Sequence, residues 1–249
     1  MTRKALIIAN PGERGSEGYC SGVEKDVDNY NNYLRSPEGG FWQDNEIDVL
    51  WQPRKREVRA EILAQGLVDY SMTIFCGHGH YSAVTNSTII EMRPGVGFDS
   101  DELRSGAQKH TLILDCCREV APEAIIRLDE MAKVAKAKSV INPTHCRHFY
   151  DVAIAECGTG LVVLFGCSVN ERAGDSASQG GYYSYNLITS AEIWNRETYV
   201  DTTGKYRSLS VVAAHERAIP RVRTVSGGRQ TPSIEKPRSD GHFPFCIIA

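Results

Sequence analysis

Short continuous apolar runs recur along the chain at Lys4 to Ala9, Met72 to Cys76, Thr111 to Leu114 and Leu161 to Phe165. Runs of this kind form strands buried on both faces of a parallel sheet. Glu46 to Trp51 alternates apolar and acidic residues and predicts a further strand. Between the runs the spacing turns helical. Ser21 and Glu24 form a capping box before Val23, Val27, Tyr30 and Leu34, and Val58, Ile62 and Leu63 face inward from a helix over Glu57 to Leu67. Asp99 or Ser100 caps a short helix through Ala107. The stretch from His80 to Gly97 carries few periodic signals and reads as a long functional loop.

Further on, Ile125, Leu128 and Ala132 suit a helix within Pro122 to Ser139, whose Lys-rich end is solvated. His148 to Cys157 reads as a helix closed by Gly158, and Asn170 to Gly181 as a polar loop. Tyr183, Leu187, Ala191 and Trp194 mark one more helix, and Leu209, Val212 and Ala213 the last; Phe243 to Ile248 is a closing strand. The order β-α-β-α-β-α-β predicts an α/β fold: a three-layer α-β-α sandwich around a mostly parallel sheet of about six strands. No repeat or linker divides residues 1–249, so one domain is expected.

Composition changes this picture little. A hydrophobic content of 41%, a charged content of 24% and a net charge of −3 suit a globular protein and give no reason to expect a nucleic-acid partner. The apolar runs are too short to span a membrane, and Asn10-Pro11-Gly12 ends the first one before it resembles a signal peptide. Several of the eight cysteines lie inside apolar strands, which fits reduced thiols in a cytoplasmic protein. His145-Cys146-Arg147-His148 with Cys157 matches no standard zinc spacing.

The chemistry gathers at two strand ends, where open α/β sheets place their reactive groups. Met72 to Cys76 runs into Gly77-His78-Gly79, and Thr111 to Leu114 into Asp115-Cys116-Cys117-Arg118. A thiol with an imidazole supplies a nucleophile and its base, and the Gly79 and Cys117 amides are candidate donors to an oxyanion. Strand alternation sends Cys116 to the opposite side, into the core, and brings Asp115 to the side of Cys117.

Phe75-Cys-Gly-His-Gly79 and Leu112-Ile-Leu-Asp-Cys-Cys-Arg118 resemble the His and Cys boxes of caspase-like cysteine peptidases, closest to the metacaspase and bacterial caspase-like (orthocaspase) branch. Gly22 to Val27, Leu161 to Asp175, Gln230 to Pro232 and Asp240 to Phe245 resemble further segments of that family. The resemblance implies a caspase-like fold with Cys117 as nucleophile and His78 as base; His80 lies at a variable loop position. It also implies an S1 pocket lined by Asp26, Cys76 and Asp115. Two carboxylates there favour a guanidinium or ammonium, hence cleavage after Arg or Lys. Arg118-Glu119 departs from the family's usual residues after the nucleophile.

Many members of the branch need calcium, for which Asp99, Asp101 and Glu102 are hard-oxygen candidates, with helix capping as the alternative; no other cofactor is required. A large-subunit-like part (1–132), a processing segment (133–147) and a small-subunit-like part (148–249) follow from the same resemblance. With a first strand starting at Lys4, activation is expected from another protein or a ligand. A protein substrate, such as a gasdermin-like effector in bacterial defence or regulated cell death, is the partner implied. The competing readings are a catalytically silent caspase-like interaction module and a nucleotide or flavin binder. The latter lacks a Gly-x-Gly-x-x-Gly turn after strand one.

Overall fold

Burial of the apolar runs sets the architecture. The computed structural model describes residues 1–104, 106–120, 142–198, 205–239 and 241–249. In chain order its elements are β1 (Arg3–Asn10), α1 (Val23–Arg35), β2 (Ile47–Trp51), α2 (Lys55–Gln65), β3 (Tyr70–Gly77), β4 (Gly79–Ser82), β5 (Ser87–Arg93), β6 (Val96–Asp99) and β7 (Lys109–Asp115). Then come α3 (Pro143–Glu156), β8 (Gly160–Phe165), β9 (Asp175–Ser176), β10 (Gly180–Gly181), α4 (Tyr182–Glu197), β11 (Arg207–Ser210), α5 (Val211–Val225), β12 (Ser233–Glu235) and β13 (Pro244–Ile248).

A six-stranded sheet in the order β12-β8-β7-β3-β1-β2 forms the middle layer. All its pairings are parallel except β12 against β8. Alternate residues feed two cores. Ile7, Ile74 and Ile113 pack under α1, α3, α4 and α5, whereas Leu6, Phe75 and Leu114 pack with α2 and β5. Each fully buried Ile or Leu contributes roughly 1.5–3 kcal/mol, so these strands are the stable frame on which the site is mounted.

Several elements differ from expectation, each for a local reason. Residues 80–97 are not a long loop: β4, β5 and β6 form an antiparallel sheet over the α2 face, turning at Asn86 and Gly95, both with positive φ. No capping box forms at α1. The N-cap is Gly22, and Glu24 instead accepts from Tyr19 Oη at 2.7 Å. Leu63 points outward at 74% exposure, because α2 buries only Val58, Ile62 and Gln65. The helix expected at His148 starts at Pro143, where the Asn142 side chain accepts from Thr144 N and His145 N. Leu209 belongs to β11, and Ser210 caps α5. The closing strand β13 pairs with β11 in a separate ribbon, and β12 takes the sheet edge instead. The expected helix at 122–139 lies outside the described residues. So does most of the processing segment 133–147, of which 143–147 open α3.

Candidate active site

The sheet register brings the two boxes together. Cys76 of β3 lies opposite Asp115 of β7, and His78 and Cys117 each follow two positions later. Both therefore leave neighbouring strands, about 4.8 Å apart, at the same end of the sheet, and both are half-buried. Cys116 turns the other way, into the core with Leu112 and Leu114. His78 C=O accepts from Glu91 N at 2.9 Å, and Gly79 is the next residue, opposite Ile90. By the alternation of antiparallel pairs, the Gly79 N–H then faces away from β5, free to donate elsewhere.

Arg118 fixes the turn that carries Cys117. Its buried guanidinium stacks 3.8 Å from the Phe165 ring centroid and donates to Thr88 Oγ1 (3.0 Å), Ser233 Oγ (3.2 Å) and Cys167 C=O (3.3 Å). Its backbone is tied to the loop after β8 through Glu171 C=O and Asn170 N–H. Arg118, the first residue of the Arg118-Glu119 pair, is thus a clamp between the cysteine turn and that loop. Arg118→Ala strips a buried cation from its acceptors and its aromatic stack, and is expected to lower stability by about 2–4 kcal/mol, as read by urea unfolding.

Beside the cysteine the structure gathers three carboxylates. Asp26 and Asp115 are only 2% and 6% exposed. Asp26 accepts from Gly181 N at 2.8 and 2.9 Å; Asp115 accepts from Ser184 N at 2.9 Å and Ser184 Oγ at 2.7 Å. Cys76 packs against the same hydroxyl at 3.9 Å. The third acid, Asp175, accepts from Gly22 N at 2.7 Å and so supplies the α1 terminus with the cap its own sequence lacks. Only glycine fits at 180 and 181, where a Cβ would lie 2.2 Å from Asp26 Oδ1 and 2.4 Å from Asp115 Oδ2. Among the described residues, no Lys or Arg pairs with Asp26 or Asp115.

Unpaired burial has an electrostatic cost. Desolvation first, then the neighbouring Asp115 and Asp175 charges, hold Asp26 well above the ordinary carboxylate range, against the Gly181 hydrogen bond. Desolvation likewise pushes Asp115 up to about 6, against the two Ser184 hydrogen bonds. A folded value above the unfolded one, about 3.9, means that the folded state binds this proton more tightly. Stability from this group is therefore full below about pH 4 and is lost as the pH rises through about 6, a difference of about 3 kcal/mol. Accordingly, the unfolding free energy of wild type minus that of Asp115→Asn is expected to fall between pH 4 and 7 and to be flat above.

The thiols feel the same field. Burial raises Cys117 above the usual thiol range; the Ala173 N–H, 3.4 Å away, and Arg172 oppose this, while Glu119 and Asp115 add to it. The sulfur that reaches His78 is that of Cys20, 3.5 Å from Nε2. Burial, followed by Asp175, Cys117, Asp115 and Asp26, holds this thiol protonated as well.

Sequence reasoning missed Cys20, Asp175, Gly181 and Ser184. For Asp175 the signal was its place in the loop after β8; for Cys20, a thiol in a polar turn instead of a strand. The calcium candidates are not brought together. Asp99 accepts from Ser87 Oγ, Asp101 pairs with Arg104 and Glu102 with Arg59. Among the described residues no group of three or more His, Cys, Asp or Glu is placed to hold a metal, so these acids do not fit a calcium chelate. His80 is exposed on β4. No described helix is long and apolar enough to cross a membrane.

Residues 2–243 match the family model described as Caspase domain. No curated protein matches the chain.

Proposed function

Because the chain belongs to the caspase-domain family of cysteine peptidases, whose substrates are proteins, we propose that it is an endopeptidase cleaving after Arg or Lys. Cys117 is the nucleophile and His78 the general base. The observation that carries the specificity is the buried pair Asp26 and Asp115, uncompensated by any described cation, with Asp115 on the strand end that leads into the cysteine. A P1 guanidinium supplies the missing charge and can pair bidentately with a carboxylate.

Chemistry and recognition are linked through this field. The Asp115 charge helps keep the Cys117 thiol protonated, so a cation in the pocket lowers that barrier as the substrate arrives. His78 takes the thiol proton while sulfur attacks the carbonyl carbon, and the oxyanion lies toward the Gly79 and Cys117 amides. Collapse breaks the C–N bond with proton transfer from His78 to the amine. Water, deprotonated by His78, then releases the acyl group. Gly180 and Gly181 lie over the acids, so P1 entry requires the β9–β10 hairpin to lift. A protein effector with an exposed Arg or Lys is the substrate this reading calls for.

A silent interaction module is the second reading. It draws on one observation, that His78 contacts Cys20 while, among the described residues, the Cys117 Sγ hydrogen bonds are to the Ala173 backbone. Fluorogenic peptides with Arg, Lys, Gln or Asp at P1, with and without calcium, decide between the two. The proposal expects Arg and Lys to exceed Gln by about 10²-fold or more in kcat/KM, as a site built around buried charge demands. Cleavage after Asp, or none after any residue, overturns it.

A further inference from the structure

Resting on that reading, we infer that the hollow beyond His78, walled by Trp51, Tyr19, Pro11 and Pro94, is the leaving-side subsite and takes a large apolar side chain. A general base that protonates the leaving amine must touch it, so the residues after the scissile bond depart past the imidazole. With Cys117 after β7 and His78 after β3, that path crosses the ends of β1 and β2, the next strands in the sheet. There the structure holds a cavity of about 310 Å³.

Its floor abuts the catalytic base. Gly12, at φ +88°, lies so close that a Cβ there would come within 2.9 Å of His78 Nε2. Its wall is Trp51, 49% exposed although large and apolar. The turn that presents Trp51 is strained and over-determined, as turns at functional sites often are. Gln52 is left-handed at φ +43°, held by its N–H to Ala9 C=O (2.8 Å), by Nε2 to Asn10 Oδ1 (3.1 Å) and Gly12 C=O (2.9 Å), and by Arg93 donating to its carbonyl (2.8 Å). Opposite, Tyr19 is anchored through its hydroxyl to Glu24 at 2.7 Å. Glu13, Arg14 and Glu24 also line the hollow, but Arg14 and Glu24 pair with each other at 3.4 Å, and the two aromatic and two proline surfaces favour a Phe, Leu or Tyr side chain one or two residues past the cleaved bond.

The test compares quenched peptides with Arg at P1 and Phe, Leu, Gly or Asp at the two following positions. A peptidyl-Arg methyl ester, which places nothing in the hollow, reports whether each protein remains competent. Wild type is expected to prefer Phe or Leu over Asp by about 10–100-fold in kcat/KM, the range that one apolar pocket supplies. In Trp51→Ala, and separately in Tyr19→Ser, that ratio is expected to fall to within about threefold. Ester hydrolysis with a flat leaving-side profile, or a preference that survives both substitutions, overturns the subsite alone. A wild-type chain inert toward the ester overturns the peptidase reading and the subsite with it.

Discussion

Cys117→Ala is expected to abolish turnover of an Arg peptide, lowering kcat by about 10⁴–10⁶-fold, the loss seen when a nucleophile acting as one unit with its base is removed. Cys20 also brings a sulfur within 3.5 Å of His78 Nε2, but it is not expected to take over the attack. Cys116 points into the opposite core, and Cys20 lies off the strand ends, in the loop between β1 and α1. The fold is expected to survive, since among the described residues the Cys117 Sγ hydrogen bonds are to the Ala173 backbone. Thermal unfolding of the variant is therefore expected within about 1 kcal/mol of wild type, in the ordinary range for a half-buried site. His78→Ala is expected to match Cys117→Ala in rate, and the double variant to add little, because neither group works alone. A steady-state assay alongside calorimetry checks all three.

Asp26→Asn and Asp115→Asn are expected to move stability and activity in opposite directions. In the free chain each carboxylate is buried with no described cation, and its neighbours raise its proton affinity. Neutralising one relieves this repulsion and raises the unfolding free energy at neutral pH. In the substrate complex the same carboxylate is the partner of the P1 cation. Removing one member of a buried charge pair costs about 3–4 kcal/mol, hence 10²–10³-fold in kcat/KM for Arg substrates. A merely structural acid would lower both quantities together. Denaturant midpoints and P1-Arg kinetics on the same preparations separate the two outcomes.

How far these residues were legible in the chain follows from the range of the forces that place them. Four of the five parallel strands could be read because a continuous apolar run buried on both faces admits little else, whereas β2, at the sheet edge and only partly buried, was read from its alternation of apolar and acidic residues. That His78 and Cys117 leave neighbouring strand ends could be read from the two boxes, whereas the register that sets Cys76 opposite Asp115 comes from the structure. What escaped was set at long range or by very short elements. The β4–β6 sheet hid because its strands are brief and its cues are single turn residues, Asn86 and Gly95. The α1 cap was misassigned to Ser21 because the group near that terminus is Asp175, 153 positions away. Asp175 and Ser184 join the acid cluster only once the loop after β8 folds back across α1, which no local pattern encodes. Leu63 misled for a simpler reason: α2 covers a narrow face, and three side chains fill it.

Cleavage after Arg or Lys requires that Cys117 be the sulfur that attacks a substrate whose P1 cation rests on Asp26 and Asp115. Labelling with a peptidyl-Arg chloromethyl ketone, followed by peptide mapping by mass spectrometry, reads this directly. The predicted result is one adduct, on Cys117, lost in Cys117→Ala and slowed at least about 10²-fold in Asp115→Asn. An adduct on Cys20, or equal labelling when Arg is replaced by Gln, would contradict it.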